Sequence, residues 1–158
     1  MKTAIVLIMR RINVKKVDIV VKELYSDIVE KNILEVACGC AEFSISASHY
    51  AESINCIDID DSRLNGSLPE NVKFDMMDAS RMNYSDESFD TIVLYNAFYH
   101  IYSQWEEIKR ECMRVLKSFG TIYIVSSWNL DISLMNEVFE GSVKKNIEFS
   151  IVKIIKGH

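Results

Sequence analysis

Residues 33–42 read Ile33-Leu34-Glu35-Val36-Ala37-Cys38-Gly39-Cys40-Ala41-Glu42, an apolar run that meets a Cys-Gly-Cys turn. A short apolar run closed by a turn signal is a buried strand, and glycine lets the backbone bend sharply behind it. Residues 42–50 are polar enough and long enough for a helix. Strand, glycine turn and helix form the opening unit of an α/β chain. Upstream, Val14, Val17, Val21, Leu24 and Ile28 recur at spacings of three and four, which predicts one amphipathic helix running to about Lys31.

Downstream the alternation continues, with strands predicted at 54–59, 72–76 and 89–95, a short helix or turn at 61–68, and a polar loop through Ser88. Trp105, Ile108, Cys112, Val115 and Leu116 fall on one helical face, which Ser118-Phe119-Gly120 ends. A β-branched strand is predicted at 121–127, a helix at 131–140 stopped by Gly141, and a last strand at 149–155. Strands apolar on both faces and separated by helices imply a doubly wound, mostly parallel α/β sheet with helices on both faces and right-handed crossovers.

Composition narrows the function. The 158 residues, 49% hydrophobic and 26% charged, suit one domain with a single core. Net charge is -5 and no Lys/Arg run exceeds a pair, so binding of nucleic acid through a broad basic face is disfavoured. The apolar run at 4–9 is far shorter than the roughly 20 residues that span a bilayer. It also lacks a cleavage site for secretion. Cys38, Cys40, Cys56 and Cys112 fit neither a disulfide framework nor paired metal spacing, so free thiols in a reducing cytoplasm are expected, with no metal.

In open α/β sheets, ligands sit outside the carboxyl ends of the strands, where the first strand feeds its turn. Gly39 there admits a ligand to the backbone. Asp58 ends the second strand about 20 residues later, where an acid takes ribose hydroxyls. Glu35 repels a pyrophosphate but suits a cationic ligand. Met77-Asp78-Ala79 follows the third strand, and Asn96-Ala97 follows the fourth. Each feature alone is common among α/β proteins; together they describe a site for a positively charged nucleoside.

From about Ile33 to Ser127 the chain resembles the class I S-adenosylmethionine-dependent methyltransferases. Residues 33–41 resemble the family's acidic glycine loop, 56–64 its second-strand acid, and 71–79 its adenine-facing acid. Phe89-Asp90 opens the fourth strand as in the family, and Arg114-Val115-Leu116-Lys117 is similar to its Arg-Val-Leu-Lys-Pro-Gly-Gly turn. The resemblance implies a Rossmann-like methyltransferase fold that binds S-adenosyl-L-methionine. Glu35, Ala37 and Gly39 would cradle the methionine moiety and Asp58 the ribose. Ile59, Met77, Asp78 and Ala79 would meet the adenine, and Tyr95 and Asn96 would line the passage to the methyl group. Departures are Ala37 and Ala41 in place of two glycines, and Ser118-Phe119 in place of Pro-Gly. With one convincing strand after Gly141, the family's C-terminal strand pair is expected to be trimmed.

The division expected is a single domain over 1–158: a helical lid segment at 1–31, a cofactor-binding core at 32–127, and a C-terminal helix and strand at 128–158. Among catalytic candidates, His100 is the best general base with Tyr99 beside it; a loop histidine that caps a helix or is solvated is the competing reading. Tyr95, Phe98, Tyr99 and Tyr102 either wall an acceptor pocket or pack the core. The acceptor expected is a small molecule, with a protein acceptor as the second choice; no nucleic acid and no membrane are expected, and a homodimer is admitted. Two rival functions stand. A nicotinamide-dependent oxidoreductase would want glycine where Glu42 stands. A non-catalytic methyltransferase-like domain that binds cofactor or a partner would tolerate the alanines.

Overall fold

The computed structural model describes residues 14–158. Helix α1 (Lys16–Glu23) and a 3-10 turn (Tyr25–Asp27) lead into strand β1 (Asn32–Val36), helix α2 (Glu42–Ala47), and strands β2 (Ser53–Asp58), β3 (Val72–Met76) and β4 (Phe89–Tyr95). A short helix α3 (Phe98–Ile101), a 3-10 turn (Tyr102–Gln104) and helix α4 (Trp105–Val115) precede β5 (Leu116–Ser126). Helix α5 (Asn129–Val138) and strands β6 (Val143–Lys145) and β7 (Ser150–Ile155) follow. One seven-stranded sheet results, in the order β3-β2-β1-β4-β5-β7-β6. β1 to β5 pair in parallel, whereas β7 runs antiparallel to both β5 and β6. The order reverses between β1 and β4, which opens a crevice at their carboxyl ends.

Side-chain parity divides the core into two layers, because successive residues of a strand face opposite ways. Ile33, Ile54, Cys56, Val93, Tyr95, Tyr123 and Val125 face α1 and α2, meeting Val17, Val21 and Phe43. Leu34, Val36, Ile57, Ile92, Leu94, Ile122 and Ile124 face the other helices, meeting Phe98, Trp105, Ile108, Cys112 and Met135. Both faces of the sheet are therefore covered, as the apolar strands require.

Several expectations need correction. The helix expected to reach Lys31 stops at Glu23, and Leu24 and Ile28 are carried into the core by the 3-10 turn instead. Of the helix or turn expected at 61–68, the turn is what forms, closed by the Leu64 N–H on the Asp61 carbonyl at 3.1 Å, and Leu64 and Leu68 pack against the core. Strand β5 begins at Leu116, not Thr121, and Gly120 lies inside it. A Cβ at Gly120 would fall 2.6 Å from Leu116 Cδ1 and 2.8 Å from the Asp90 carbonyl oxygen, so the glycine answers a close approach of strands. The C-terminal strand pair is not trimmed: β6 and β7 are both in the sheet. β6 escaped because Val143-Lys144-Lys145 is too short for periodicity and carries the lysines typical of a sheet edge. The apolar run at 4–9 and the first part of the lid segment lie outside the described residues. Residues 14–31 pack in the layer against α2.

Candidate active site

A cleft of about 240 Å³ lies at the carboxyl ends of β1 to β4, closed on one side by α3 and α4. Eight of the twelve residues picked out in the sequence line it: Ala37, Asp58, Ile59, Met77, Asp78, Ala79, Asn96 and His100. Glu35, Gly39, Tyr95 and Tyr99 are not among its lining. A hollow of about 460 Å³ between β5, β7 and β6 holds none of the predicted residues.

The turn after β1 is held by the end of β2. Cys38 N–H donates to the Ile57 carbonyl at 3.0 Å. Gly39 N–H donates to Asp58 Oδ2 at 2.9 Å. The backbone is left-handed at alternate positions, with φ of 55° at Ala37, 52° at Gly39 and 59° at Ala41. Both alanines that replace family glycines thus adopt the glycine conformation, at a cost of about 1–2 kcal/mol each.

Glu35 is 1% exposed and lies beneath this turn, where its Oε1 accepts from the Ser44 amide at 3.0 Å and the Ser44 hydroxyl at 2.7 Å. Burial pushes its carboxyl up to about 8, against which the Ser44 hydrogen bonds pull down. Glu35, which the resemblance places at the methionine moiety, makes its hydrogen bonds in this structure to Ser44 of α2. Strand parity is the reason, since Glu35 shares the face of Ile33.

Three carboxylates border the cleft. Asp58 Oδ1 accepts from Ile59 N–H at 2.8 Å. Asp60 Oδ1 accepts from the Ser62 hydroxyl at 2.6 Å, and Asp78 Oδ1 from the Ser80 hydroxyl at 2.7 Å. Those hydrogen bonds hold the Asp60 and Asp78 carboxyls below the usual carboxylate range. Ile59, 74% exposed, offers a flat apolar surface between them.

The opposite wall is built on Asn96, itself left-handed with φ of 50°. Its Oδ1 accepts from Ser127 N–H at 2.9 Å, tying the end of β4 to the end of β5. The Ser126 hydroxyl has one proton and donates it to fully buried Asp131 at 2.6 Å, while Asp131 Oδ1 accepts Tyr99 N–H at 2.7 Å. β5, α5 and the start of α3 are thereby fastened together. His100 reaches the cleft with its ring 5.9 Å from that of Trp128. Tyr99 is 52% exposed beside it. Tyr95 is buried with its ring 6.3 Å from Phe43, and burial lifts its phenol to about 12.

Sequence reading missed Asp60, Arg63, Gln104, Ile101 and Ile108 in the lining. Asp60 and Arg63 stand two and five residues beyond Asp58, so the segment 56–64 carried a signal for them; Ile101, Gln104 and Ile108 required the placement of α3 and α4. Arg114, read only as part of a turn, anchors the loop after Asp78. Its guanidinium donates to the Met82 and Tyr84 carbonyls at 3.0 and 2.8 Å and pairs with Asp86 and Glu111.

A family model described as "Methyltransferase domain" matches residues 34–124. No curated protein matches the sequence. Among solved structures, a candidate S-adenosyl-L-methionine-dependent methyltransferase from Methanococcus maripaludis is 18% identical, with a TM-score of 0.70 over 90% of this chain and 86% of that one. A SAM-dependent methyltransferase from Aquifex aeolicus is 15% identical, with a TM-score of 0.66 over 85% of this chain and 88% of that one. The YcgJ protein from Bacillus subtilis is 22% identical with a TM-score of 0.59; the match covers 72% of this chain but only 50% of YcgJ. At these identities the likeness is one of fold.

Proposed function

This chain belongs to the methyltransferase domain family, with the class I S-adenosylmethionine-dependent fold, and from that premise we propose that it methylates a small-molecule acceptor in the cytoplasm. The observation that carries the proposal is the convergence of Asp58, Asp60 and Asp78 with Ala37, the first residue of the left-handed turn, around one cleft. Acid-rich walls suit a cationic ligand.

When bound, S-adenosyl-L-methionine supplies a methyl group on a positively charged sulfur. In this reading Asp58 accepts ribose hydroxyls, with its carboxylate aimed by the Gly39 and Ile59 amides. Ile59, Met77, Asp78 and Ala79 hold the adenine. Ala37 and Gly39 border the methionine end, and Asn96, with Tyr95 behind it, shapes the passage to the acceptor. Glu35 acts through Ser44 as a support for the turn. His100 takes a proton from the acceptor where the acceptor must lose one. Positioning and exclusion of water supply the rest of the catalysis.

The acidic chain favours a small acceptor over a nucleic acid. No helix among the described residues is long and apolar enough to cross a membrane. A non-catalytic domain that only binds the cofactor is the second reading, favoured by the Ala37 methyl at the cleft wall. Transfer of radiolabelled methyl from the cofactor into extracted metabolites separates the two.

The primary test is calorimetry with S-adenosylhomocysteine. Micromolar binding is expected for the wild type, and Asp58→Ala should weaken it at least tenfold, about 1.4 kcal/mol. A wild type that binds nothing at millimolar ligand ends the proposal.

A further inference from the structure

Gly39 is buried at the tip of its turn because the Arg63 guanidinium lies over it. A Cβ built on Gly39 would stand 2.8 Å from Arg63 Nη1 and 2.9 Å from Cζ. Arg63 reaches this place from the turn in the crossover between β2 and β3. It is the one lysine or arginine lining the cleft, among Asp58, Asp60 and Asp78. Among the described residues it enters none of the five ion pairs. Neither Asp61 nor Asp60, two and three residues before it, lies within ion-pair distance, and Asp60 is already engaged by Ser62.

A guanidinium held at the glycine turn without a carboxylate partner matches an incoming carboxylate in both charge and forked geometry. The remaining walls would repel such a group, since their charged members are all acids. We propose that Arg63 is the specificity residue for the amino-acid end of the nucleoside ligand, taking its α-carboxylate on the side of the guanidinium that faces the cleft, away from Gly39. The inference rests on the cofactor reading given above and adds to it which part of the ligand selects for binding.

Two ligands and two variants test it. S-adenosylhomocysteine carries the carboxylate, whereas 5′-methylthioadenosine has the same nucleoside and a thioether but no amino-acid end. By calorimetry, Arg63→Ala should weaken S-adenosylhomocysteine at least tenfold and change 5′-methylthioadenosine less than twofold. Arg63→Lys should restore part of the loss, since it returns the charge without the fork. Circular dichroism establishes that both variants fold. Equal losses for the two ligands, no loss for either, or tighter S-adenosylhomocysteine binding in Arg63→Ala would each overturn the proposal, the last because the guanidinium then merely obstructs the cleft. A wild type that binds neither ligand overturns the cofactor reading as well, and so is distinct from a failure of Arg63 alone.

Discussion

Alanine at positions 37 and 41 holds a backbone that alanine disfavours, with φ of 55° and 59°. The two sites differ in what a glycine would forfeit. Ala41 is fully buried, so its methyl contributes packing that offsets the relief, whereas Ala37 is only half-buried at the cleft wall. Ala37→Gly is therefore expected to stabilise the fold by about 1 kcal/mol, raising Tm by roughly 2–4 °C in thermal denaturation. Unchanged or lower Tm would mean that the turn carries no strain. The acids at strand ends were legible at this scale because a buried strand's last residue and its turn are fixed by the apolar run itself. Glu35 was not: its parity could be counted, but that α2 brings Ser44 to that face is a tertiary fact. Arg63 was quoted within a matching segment, yet its reach back over Gly39 depends on a crossover whose path no periodicity describes.

Elements were legible where the apolar pattern was long. Strands at 72–76 and 89–95 have the bounds expected, and helix α4 buries Trp105, Ile108, Cys112 and Val115, four of the five residues expected on that face, the fifth, Leu116, belonging to β5. Errors gathered where a short element met a neighbour. β6 has three residues, and β5 starts five residues before its β-branched stretch because Leu116 pairs with Phe89 ahead of an irregularity in the ladder. Gly120 sits next to that irregularity and read as a helix stop, although its role is steric. Gly120→Ala would place a methyl 2.8 Å from the Asp90 carbonyl oxygen, which is main chain and cannot swing aside. A loss of about 1–3 kcal/mol is expected, seen as a lower urea midpoint with unchanged slope. Full stability in this variant would show that β4 and β5 part easily there.

Across the whole molecule, the buried carboxyl beneath the turn couples folding to pH. Unfolded, Glu35 ionises near 4.5; folded, it keeps its proton to about 8. Between these values the folded chain holds the extra proton, so this contribution is full below about pH 4.5 and is lost as pH rises through about 8. Glu35→Gln keeps an oxygen acceptor for Ser44 and removes the ionisation. Its stability relative to wild type should therefore grow from pH 5 to 8.5 in urea unfolding; a constant difference would mean that Glu35 is ionised throughout. The antiparallel course of β7 sets a different property. Ser150 pairs with Ser126 at the cleft edge and Ile155 with Thr121, so the strand leads the backbone toward the opposite edge, where Lys156 bonds Phe119 and Gly120. Anchoring the molecule to a sensor surface through His158 would thus leave the mouth of the cleft facing the flow.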